Sequence, residues 1–250
     1  MVDDIDKALD WEGNRLDCTS CEHLALSKTG GCRLKHACVN DRCPRGIERF
    51  FEWNPDLADR YLCHPHFEVR AIAAKFANVL LLPPLIDDPN EKVQWNAMLR
   101  LPRRYALQLR KHPNPELRKR VASLFDGEEL LPMASDEYYY VRLVVASRIE
   151  PMLLPRMVDD EEAEVRRVVA RRIPNEWLLR MIDDREASVR LEIARRLSVQ
   201  LVPLLRHDPD WRIRYEVASR APVTEILSLV DDPYSLVREV ASSRIAGDRR

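Results

Sequence analysis

The sequence predicts an all-α solenoid of 24-residue repeats, with a small cysteine-rich segment at its N-terminus. Three observations predict this class. All six cysteines lie within the first 63 residues, and 17 prolines against six glycines indicate repeated turns rather than disorder. Above all, an apolar residue recurs every 24 residues, as expected when each unit buries its apolar face against its neighbours. This residue, called position zero below, is Val69, Val93, Leu117, Val141, Val165, Val189, Ile213 and Val237.

Each repeat is predicted to contain an α-helix of about three turns. Around Val165, apolar or small residues recur at +4, +5 and +8, which places them on one face of a helix. A proline at +9, such as Pro174, is expected to end it. An aspartate at −5, often followed by proline, predicts an N-cap and first helical residue. These aspartates are Asp88, Asp136, Asp160, Asp184, Asp208 and Asp232.

The segment that connects successive helices is too short for a second full helix and too rich in proline for a strand. Pro83, Pro155 and Pro203 interrupt it, so one or two 3₁₀ turns are expected. The predicted organisation is a cysteine-rich domain over residues 1–53 and a solenoid over residues 54–250. The solenoid begins with a half-unit, residues 54–62, followed by eight repeats and no sheet.

Two columns of arginines follow the repeat, at +1 and at +7. Parallel stripes of cations could bind a phosphate backbone. A structural role is the stronger interpretation. The +1 side chain points into the apolar face of its helix, and the aspartate at −5 of the adjacent repeat lies at the same level of the stack, where it can pair with the arginine. At +7 the arginines occupy the last helical turn, where the helix dipole favours a cation.

Composition excludes several classes of function. The formal net charge is −1, so no bulk attraction to nucleic acid or membrane is implied. The longest strongly apolar run, residues 79–86, is broken by two prolines and is too short to span a bilayer. The N-terminal sequence lacks the apolar region of a secretory signal, which predicts a cytoplasmic location with reduced thiols.

The cysteines have the spacing C-x2-C-x10-C-x5-C-x4-C, with Cys63 twenty residues further on. A C-x2-C pair can hold one metal from a single turn, and later cysteines on a loop containing Gly30 and Gly31 can complete a four-thiolate site. Glycines there would let backbone N–H groups approach the sulfurs. Zinc and an iron–sulfur cluster both accept four cysteines, and the spacing alone favours neither.

The repeats resemble those of the leucine-rich repeat variant family. The pattern D-D-P-x-x-x-V-R-x-x-V-A-x-R-[IL] is clearest from Asp231 to Ile245, and the resemblance covers roughly residues 63–246. It implies a right-handed superhelix of alternating α and 3₁₀ helices. The second repeat departs from the pattern at Gln94 and Met98, and the third at His112, so distortion is expected there.

The cysteine-rich segment, roughly residues 11–53, is similar to the N-terminal domain of such proteins, which carries a [4Fe–4S] cluster. The resemblance implies Cys18, Cys21, Cys32 and Cys38 as cluster ligands, with Cys43 as the rival for the fourth place. Cys63 stands where later repeats have the first Asp of Asp-Asp-Pro and is interpreted as a repeat residue. His23 and His36 are interpreted as surface histidines, since a lone histidine is more often that than a ligand.

The aromatic residues Phe50, Phe51 and Trp53 are expected to seal the junction with the first repeat. We expect a non-enzymatic protein whose solenoid binds an unidentified protein partner and whose cluster is structural or senses oxygen or iron. An electron-transfer role and nucleic-acid binding through the arginines are the alternatives, with zinc as the alternative metal. No Ser/His/Asp constellation or phosphate loop stands out, so catalysis is not expected.

Overall fold

A computed structural model describes residues 8–248 of the chain. These residues form two compact units, one up to Leu117 and the other from Arg118 onward. Within them the secondary structure is α-helical and 3₁₀-helical, and two isolated antiparallel bridges pair Leu9 with Arg15 and Arg33 with Ala37. The predicted boundary near residue 53 falls inside the first unit and stays a prediction.

The α-helices alternate with 3₁₀ helices in the repeats, as the sequence predicts, except where α5 follows α4 in the second repeat. None of the helices in the described part of the chain combines the length and apolar character needed to cross a membrane. The α-helices are α1 Leu24–Thr29, α2 Pro44–Trp53, α3 Phe67–Phe76, α4 Glu91–Arg100, α5 Arg103–Gln108, α6 Pro115–Ala122, α7 Tyr139–Arg148, α8 Ala163–Arg172, α9 Ala187–Arg196, α10 Trp211–Arg220 and α11 Ser235–Asp248.

The 3₁₀ helices occupy the connecting segments, where proline limits the chain to short turns. They are Pro55–Tyr61, Val79–Leu81, Pro83–Asp87, Leu109–Lys111, Gly127–Met133, Pro151–Met157, Asn175–Met181, Val202–Leu205, Val223–Glu225 and Leu227–Asp231. The second repeat differs, because its connecting segment begins with the α-helix α5 rather than a 3₁₀ turn. The prediction of 3₁₀ structure was wrong for that stretch, Arg103–Gln108, where no proline interrupts the helix.

Position zero forms the core of every repeat, since all eight residues have no solvent exposure. In the fifth repeat Val165 is joined by Val169, Ala170 and Ile173, which are equally buried. The predicted face at zero, +4, +5 and +8 is therefore the face that packs. The predicted helix end is also correct: α8 ends at Arg172 and Pro174 follows two residues later.

The predicted helix start was wrong by two residues, because the N-cap lies at −3 rather than −5. The regular repeat helices begin at −2, so the aspartate at −5 lies ahead of the N-cap. Its carboxylate instead closes a tight turn: Asp160 Oδ1 accepts the backbone N–H of Glu162 at 2.9 Å, and Asp184 does the same for Glu186. Such a turn is a common alternative use of an aspartate beside a helix.

The +1 arginines hold successive repeats together. In the fifth repeat, Arg166 Nε and Nη2 donate to the two carboxylate oxygens of Asp184 at 2.7 and 3.0 Å, and Nη1 donates to the carbonyls of Asp160 and Glu161. Only 4% of Arg166 is exposed. The hydrogen bonds to Asp184 raise the pKa of Arg166, although burial of the guanidinium opposes the shift. The same bidentate pairing joins Arg70 to Asp88, Arg118 to Asp136, Arg142 to Asp160, Arg190 to Asp208 and Arg214 to Asp232.

The +7 arginines bind the last carbonyls of the preceding helix. Arg172 Nη1 donates to the carbonyl of Ala146 at 2.6 Å, and Arg244 Nη1 to those of Ala218 and Ala221 at 2.8 and 2.7 Å. Helix C-terminal carbonyls lack partners within their own helix and carry partial negative charge. Both arginine columns are therefore used inside the repeats.

The second repeat replaces this ionic pair with a neutral contact. Gln94 stands at +1 and donates to the carbonyl of Asp88 at 2.7 Å, as the arginines do to the equivalent carbonyl. Its amide nitrogen lies 3.2 Å from Nε2 of His112, which occupies the aspartate position of the next repeat. His112 Nδ1 also accepts the N–H of Asn114 at 3.1 Å and so closes the turn as an aspartate would.

Candidate metal centre

Four cysteines converge on one cavity in the cysteine-rich segment. Cys18, Cys21, Cys32 and Cys38 line it, with an empty volume of about 310 Å³ that includes the part open to solvent. The rest of the lining is apolar or neutral: His23, Leu24, Ser27, Leu34, Val39, Asn40 and Phe50. These are the four cysteines that the family resemblance implies as ligands, and that role stays a prediction.

The first pair of cysteines is placed by a turn that precedes α1. The Asp17 carboxylate accepts the backbone N–H of Thr19 at 2.8 Å and its hydroxyl at 2.7 Å. These bonds lower the pKa of Asp17. The turn holds Cys18 and Cys21 on the same cavity, as a C-x2-C pair requires for a shared centre.

The chain reaches the third cysteine through a glycine turn at the end of α1. Gly30 has φ of +81°, a left-handed conformation that favours glycine, and Gly31 N–H bonds the carbonyl of Leu26 at 2.7 Å. The N–H groups of both glycines bond carbonyls of α1, and the predicted approach of backbone N–H groups to the sulfurs through this loop stays a prediction. The turn aims Cys32 back at the cavity.

The fourth cysteine is fixed from two directions. A short loop closed by the bridge between Arg33 and Ala37 separates it from Cys32. The backbone N–H of Cys38 bonds the carbonyl of Gly46 at 3.0 Å, which ties the loop to α2. Gly46 itself packs against Asp41, since an added Cβ would lie 2.9 Å from the carboxylate. A side chain at residue 46 would therefore displace the Asp41 side chain.

Polar groups of His23 and Asn40 approach the sulfurs. Backbone N–H of His23 lies 3.4 Å from Cys21 Sγ, and the Asn40 amide lies 3.9 Å from the same atom. Burial, reinforced by neighbouring charges, raises the pKa of Cys38 to about 11, and burial also raises the pKa of Cys32. Repulsion from the neighbouring thiols of Cys18 and Cys21 contributes to both shifts.

The remaining two cysteines lie apart from the cavity lining. Cys43 is exposed and serves as the N-cap residue of α2 ahead of Pro44, and its N–H bonds Asp41 Oδ1 at 2.9 Å. Cys63 is exposed at the end of the 3₁₀ turn that precedes the first repeat. Neither residue contributes to the lining of the four-cysteine cavity.

Two side chains beside the cavity were missed by the sequence reasoning. His23 is 6% exposed, not a surface residue as predicted, and its Nε2 makes a short hydrogen bond with the Tyr61 hydroxyl. Tyr61 also donates to Glu22 Oε1 at 2.9 Å, and Glu22 pairs with Arg60. Burial lowers the pKa of His23. Nothing in the sequence signals this link, because Tyr61 is 38 residues away.

The donor set fits an iron–sulfur cluster better than a single ion. Thiolates that share one zinc each lie about 2.3 Å from it and must converge on a point. Among residues 8–248, no three Cys, His, Asp or Glu side chains are arranged to hold one metal ion. Four sulfurs spread around an apolar cavity suit the larger cluster, whose iron atoms each take one thiolate.

Comparison with known proteins agrees with this assignment. A sequence model described as "LRV protein FeS4 cluster" matches residues 8–60. A solved structure, described as a leucine-rich repeat variant with a novel repetitive protein structural motif, superposes with a TM-score of 0.83 and 39% identity. The superposition covers 92% of this chain and 98% of the solved one.

A relative from Rhodobacter capsulatus is described as an uncharacterized 27.7 kDa protein in the nifB 3′ region. It is 47% identical over 98 residues, which is 39% of this chain. The match spans only 40% of that relative's length.

Fold and site together define an iron–sulfur protein built from helical repeats. The chain belongs to the leucine-rich repeat variant family and carries a [4Fe–4S] cluster in its cysteine-rich segment. Zinc, the alternative metal, has no support in these findings.

Proposed function

We propose that the chain is a non-enzymatic, cytoplasmic binding protein in which Cys18, Cys21, Cys32 and Cys38 hold the cluster. The convergence of these four thiols on one cavity is the observation that carries the ligand assignment. When bound, the cluster would cross-link three separate stretches of a segment that has a small core, and it could change its charge by one electron.

Iron and sulfide analysis of protein purified without oxygen tests the ligand assignment. Serine at any of the four proposed ligands is expected to abolish the brown colour and the bound iron. Cys43→Ser and Cys63→Ser are the matched controls and should retain about four iron and four sulfide per chain. Retention of colour in Cys38→Ser with loss in Cys43→Ser would move the fourth ligand to Cys43.

The absence of an enzymatic role is supported by what the polar side chains do. The Nδ1 atoms of His64 and His112 accept turn N–H groups at 3.1 Å, and His23 bonds Tyr61. The arginines at +1 and +7 are occupied by carboxylates and carbonyls of the repeats, so they do not support nucleic-acid binding. These groups serve the fold rather than a reaction.

The repeats are proposed to bind a protein partner through the exposed face of the last helices. An open groove lies between apolar and charged side chains, and of these Tyr215 and Leu236 are 36% and 44% exposed. The groove is bordered by Leu191, Arg195, Trp211, Arg212, Tyr215, Glu216 and Leu236. The Trp211 ring stacks on Tyr234 with centroids 4.0 Å apart. Aromatic residues held rigidly on a surface are enriched in protein interfaces.

An anaerobic pull-down from the native cell, repeated with two variants, tests this surface. Tyr215→Ser combined with Leu236→Ser should remove the partner that wild-type protein captures. Leu204→Ser is the control, because Leu204 is 58% exposed in the 3₁₀ helix Val202–Leu205. Equal capture by all three proteins would show that binding does not involve the groove.

A further inference from the structure

One exposed surface beside the cluster cavity combines basic and apolar side chains. On α2, residues Arg45, Arg49 and Trp53 are spaced by four and therefore lie on neighbouring positions of one helix face. Ile47, Phe50 and Phe51 point the other way and are buried, whereas Trp53 is 44% exposed. We call this face, with the adjoining loop residues 33–36, the α2 surface.

The loop between Cys32 and Cys38 extends this surface to the mouth of the cavity. The His36 ring lies 3.0 Å from Nη1 of Arg49 and 5.5 Å, between centroids, from the Trp53 ring. Leu34 is 39% exposed and at the same time lines the cavity. The α2 surface therefore runs without interruption from the end of α2 to the cluster site.

The α2 surface is positively charged in a way that the repeats are not. Arg33 and Lys35 on the loop and Arg45 and Arg49 on α2 are all exposed, within the stretch from residue 31 to residue 49. The two acidic residues of that stretch are engaged elsewhere: Asp41 is 8% exposed and accepts the N–H of Cys43, and Glu48 pairs with Lys75 at 2.7 Å. Glu52 is the exposed acidic residue on the same helix.

We propose that the α2 surface docks a small acidic electron-carrier protein. Positive rim charges steer an acidic surface into contact, and apolar residues such as Leu34 and Trp53 supply area that excludes water. Because Leu34 also lines the cavity, a protein docked there lies next to the cluster. The inference uses the proposed ligand set for the location of the cluster and for nothing else.

An acidic protein suits this surface better than a nucleic acid does. The cations lie within one ten-residue helix and one loop, and Glu52 stands among them. The stretch leading into the site carries Asp10, Glu12, Asp17 and Glu22. An extended polyanion would meet these carboxylates, whereas a compact acidic protein with a small contact area, typical of electron carriers, need not.

Calorimetric titration of anaerobically purified, iron-loaded protein tests the proposal. The probes are a flavodoxin and a plant-type ferredoxin, both small and acidic. We expect binding that weakens with added salt, and a loss of about tenfold or more in affinity on reversing two charges, Arg45→Glu with Arg49→Glu. Trp53→Ala should lose less. Arg156→Glu, at an exposed arginine of the 3₁₀ helix Pro151–Met157, is the control and should bind normally.

Iron content and helical circular dichroism of each variant separate docking from the integrity of the site. Arg33→Glu on the loop provides a second variant that leaves α2 untouched and should also weaken binding. The proposal is overturned if neither carrier binds the wild-type protein at low salt, or if iron-loaded variants bind as tightly as wild type. Tighter binding of a duplex DNA to the same surface would assign it to nucleic acid instead.

Discussion

The repeats and the cysteine-rich segment satisfy their polar groups in opposite ways. In the repeats, a buried arginine such as Arg166 has a bidentate carboxylate partner and two backbone carbonyls. In the cysteine-rich segment, four thiols face one another, and burial raises the pKa of Cys38 and Cys32. The buried charge of Arg166 is therefore compensated within the repeats, whereas the thiols need a cation to compensate their ionised form.

The apolar cores differ in the same sense. Each repeat adds a fully buried residue at position zero and its partners, so the core grows with every unit. The cysteine-rich segment buries Phe50 and Phe51 partly against residues that follow it in the chain. The Phe51 ring stacks on Phe76 of α3 with centroids 6.1 Å apart, and its centroid lies 5.5 Å from that of the Tyr61 ring. A segment of this size depends on an inorganic centre for much of its stability.

The largest expected effect comes from removing the cluster. If stability in an array is passed mainly between nearest neighbours, hydrogen-exchange protection should fall from Cys18 to about Val93 and stay unchanged beyond Val189. Exchange mass spectrometry with and without the cluster measures this. Uniform loss of protection through all eight repeats would contradict the distinction between the repeats and the cysteine-rich segment, because it would show that both unfold as one cooperative unit.

Within the repeats, the sharpest test is to break one arginine–aspartate pair. Arg166→Ala leaves the Asp184 side chain, 7% exposed, without its cation. Breaking a buried pair costs roughly 3–5 kcal/mol. Arg180→Ala is the control, since its pair with Asp159 has side chains 55% and 84% exposed and is worth at most about 1 kcal/mol. The two free energies of unfolding come from denaturant titrations.

Equal and small losses in those two variants would mean that the +1 column contributes little to stability. That outcome would also reopen the column as a ligand-binding stripe. The packing of successive repeats against each other, rather than the arginine–aspartate pair, would then explain why the +1 side chains are buried.

Much of the repeat could be predicted from the sequence because its signals are local and recur. The period, the buried face and the stop at proline each depend on residues of one helix. The start of the helix was misplaced because the aspartate at −5 has a second task that only the neighbouring repeat reveals: it receives the arginine 18 residues earlier, as Asp184 receives Arg166. An aspartate engaged there closes a turn rather than capping the helix.

In the cysteine-rich segment, the four cysteines at the cavity were found by spacing together with the family resemblance. The packing of the side chains between these cysteines was not predicted correctly. Phe50 and Phe51 seal the junction as expected, but Trp53 is 44% exposed. His23 is buried by Tyr61. Such contacts depend on how separate segments of the chain pack together. The cysteine-rich segment has no repeated sequence pattern from which that packing could be predicted.

The smallest expected effect concerns the one pair that the protein itself has replaced. Gln94 and His112 occupy the places of arginine and aspartate, and both remain engaged. If this neutral contact can replace the ionic pair, the same two residues should be tolerated at another pair, such as residues 166 and 184. Arg166→Gln alone and Asp184→His alone should each destabilise, because each leaves one buried charge unpaired.

Combining the two changes should recover part of that loss, since neither charge then remains. A double-mutant cycle measures the coupling, which we expect to be favourable and roughly 0.5–3 kcal/mol, the range for residues in direct contact. Additive losses would show that the pair at Gln94 and His112 is tolerated only because of its own surroundings in the second and third repeats. The ionic pair would then be a requirement of the regular repeats, and the neutral one a local exception tied to the irregular helix α5.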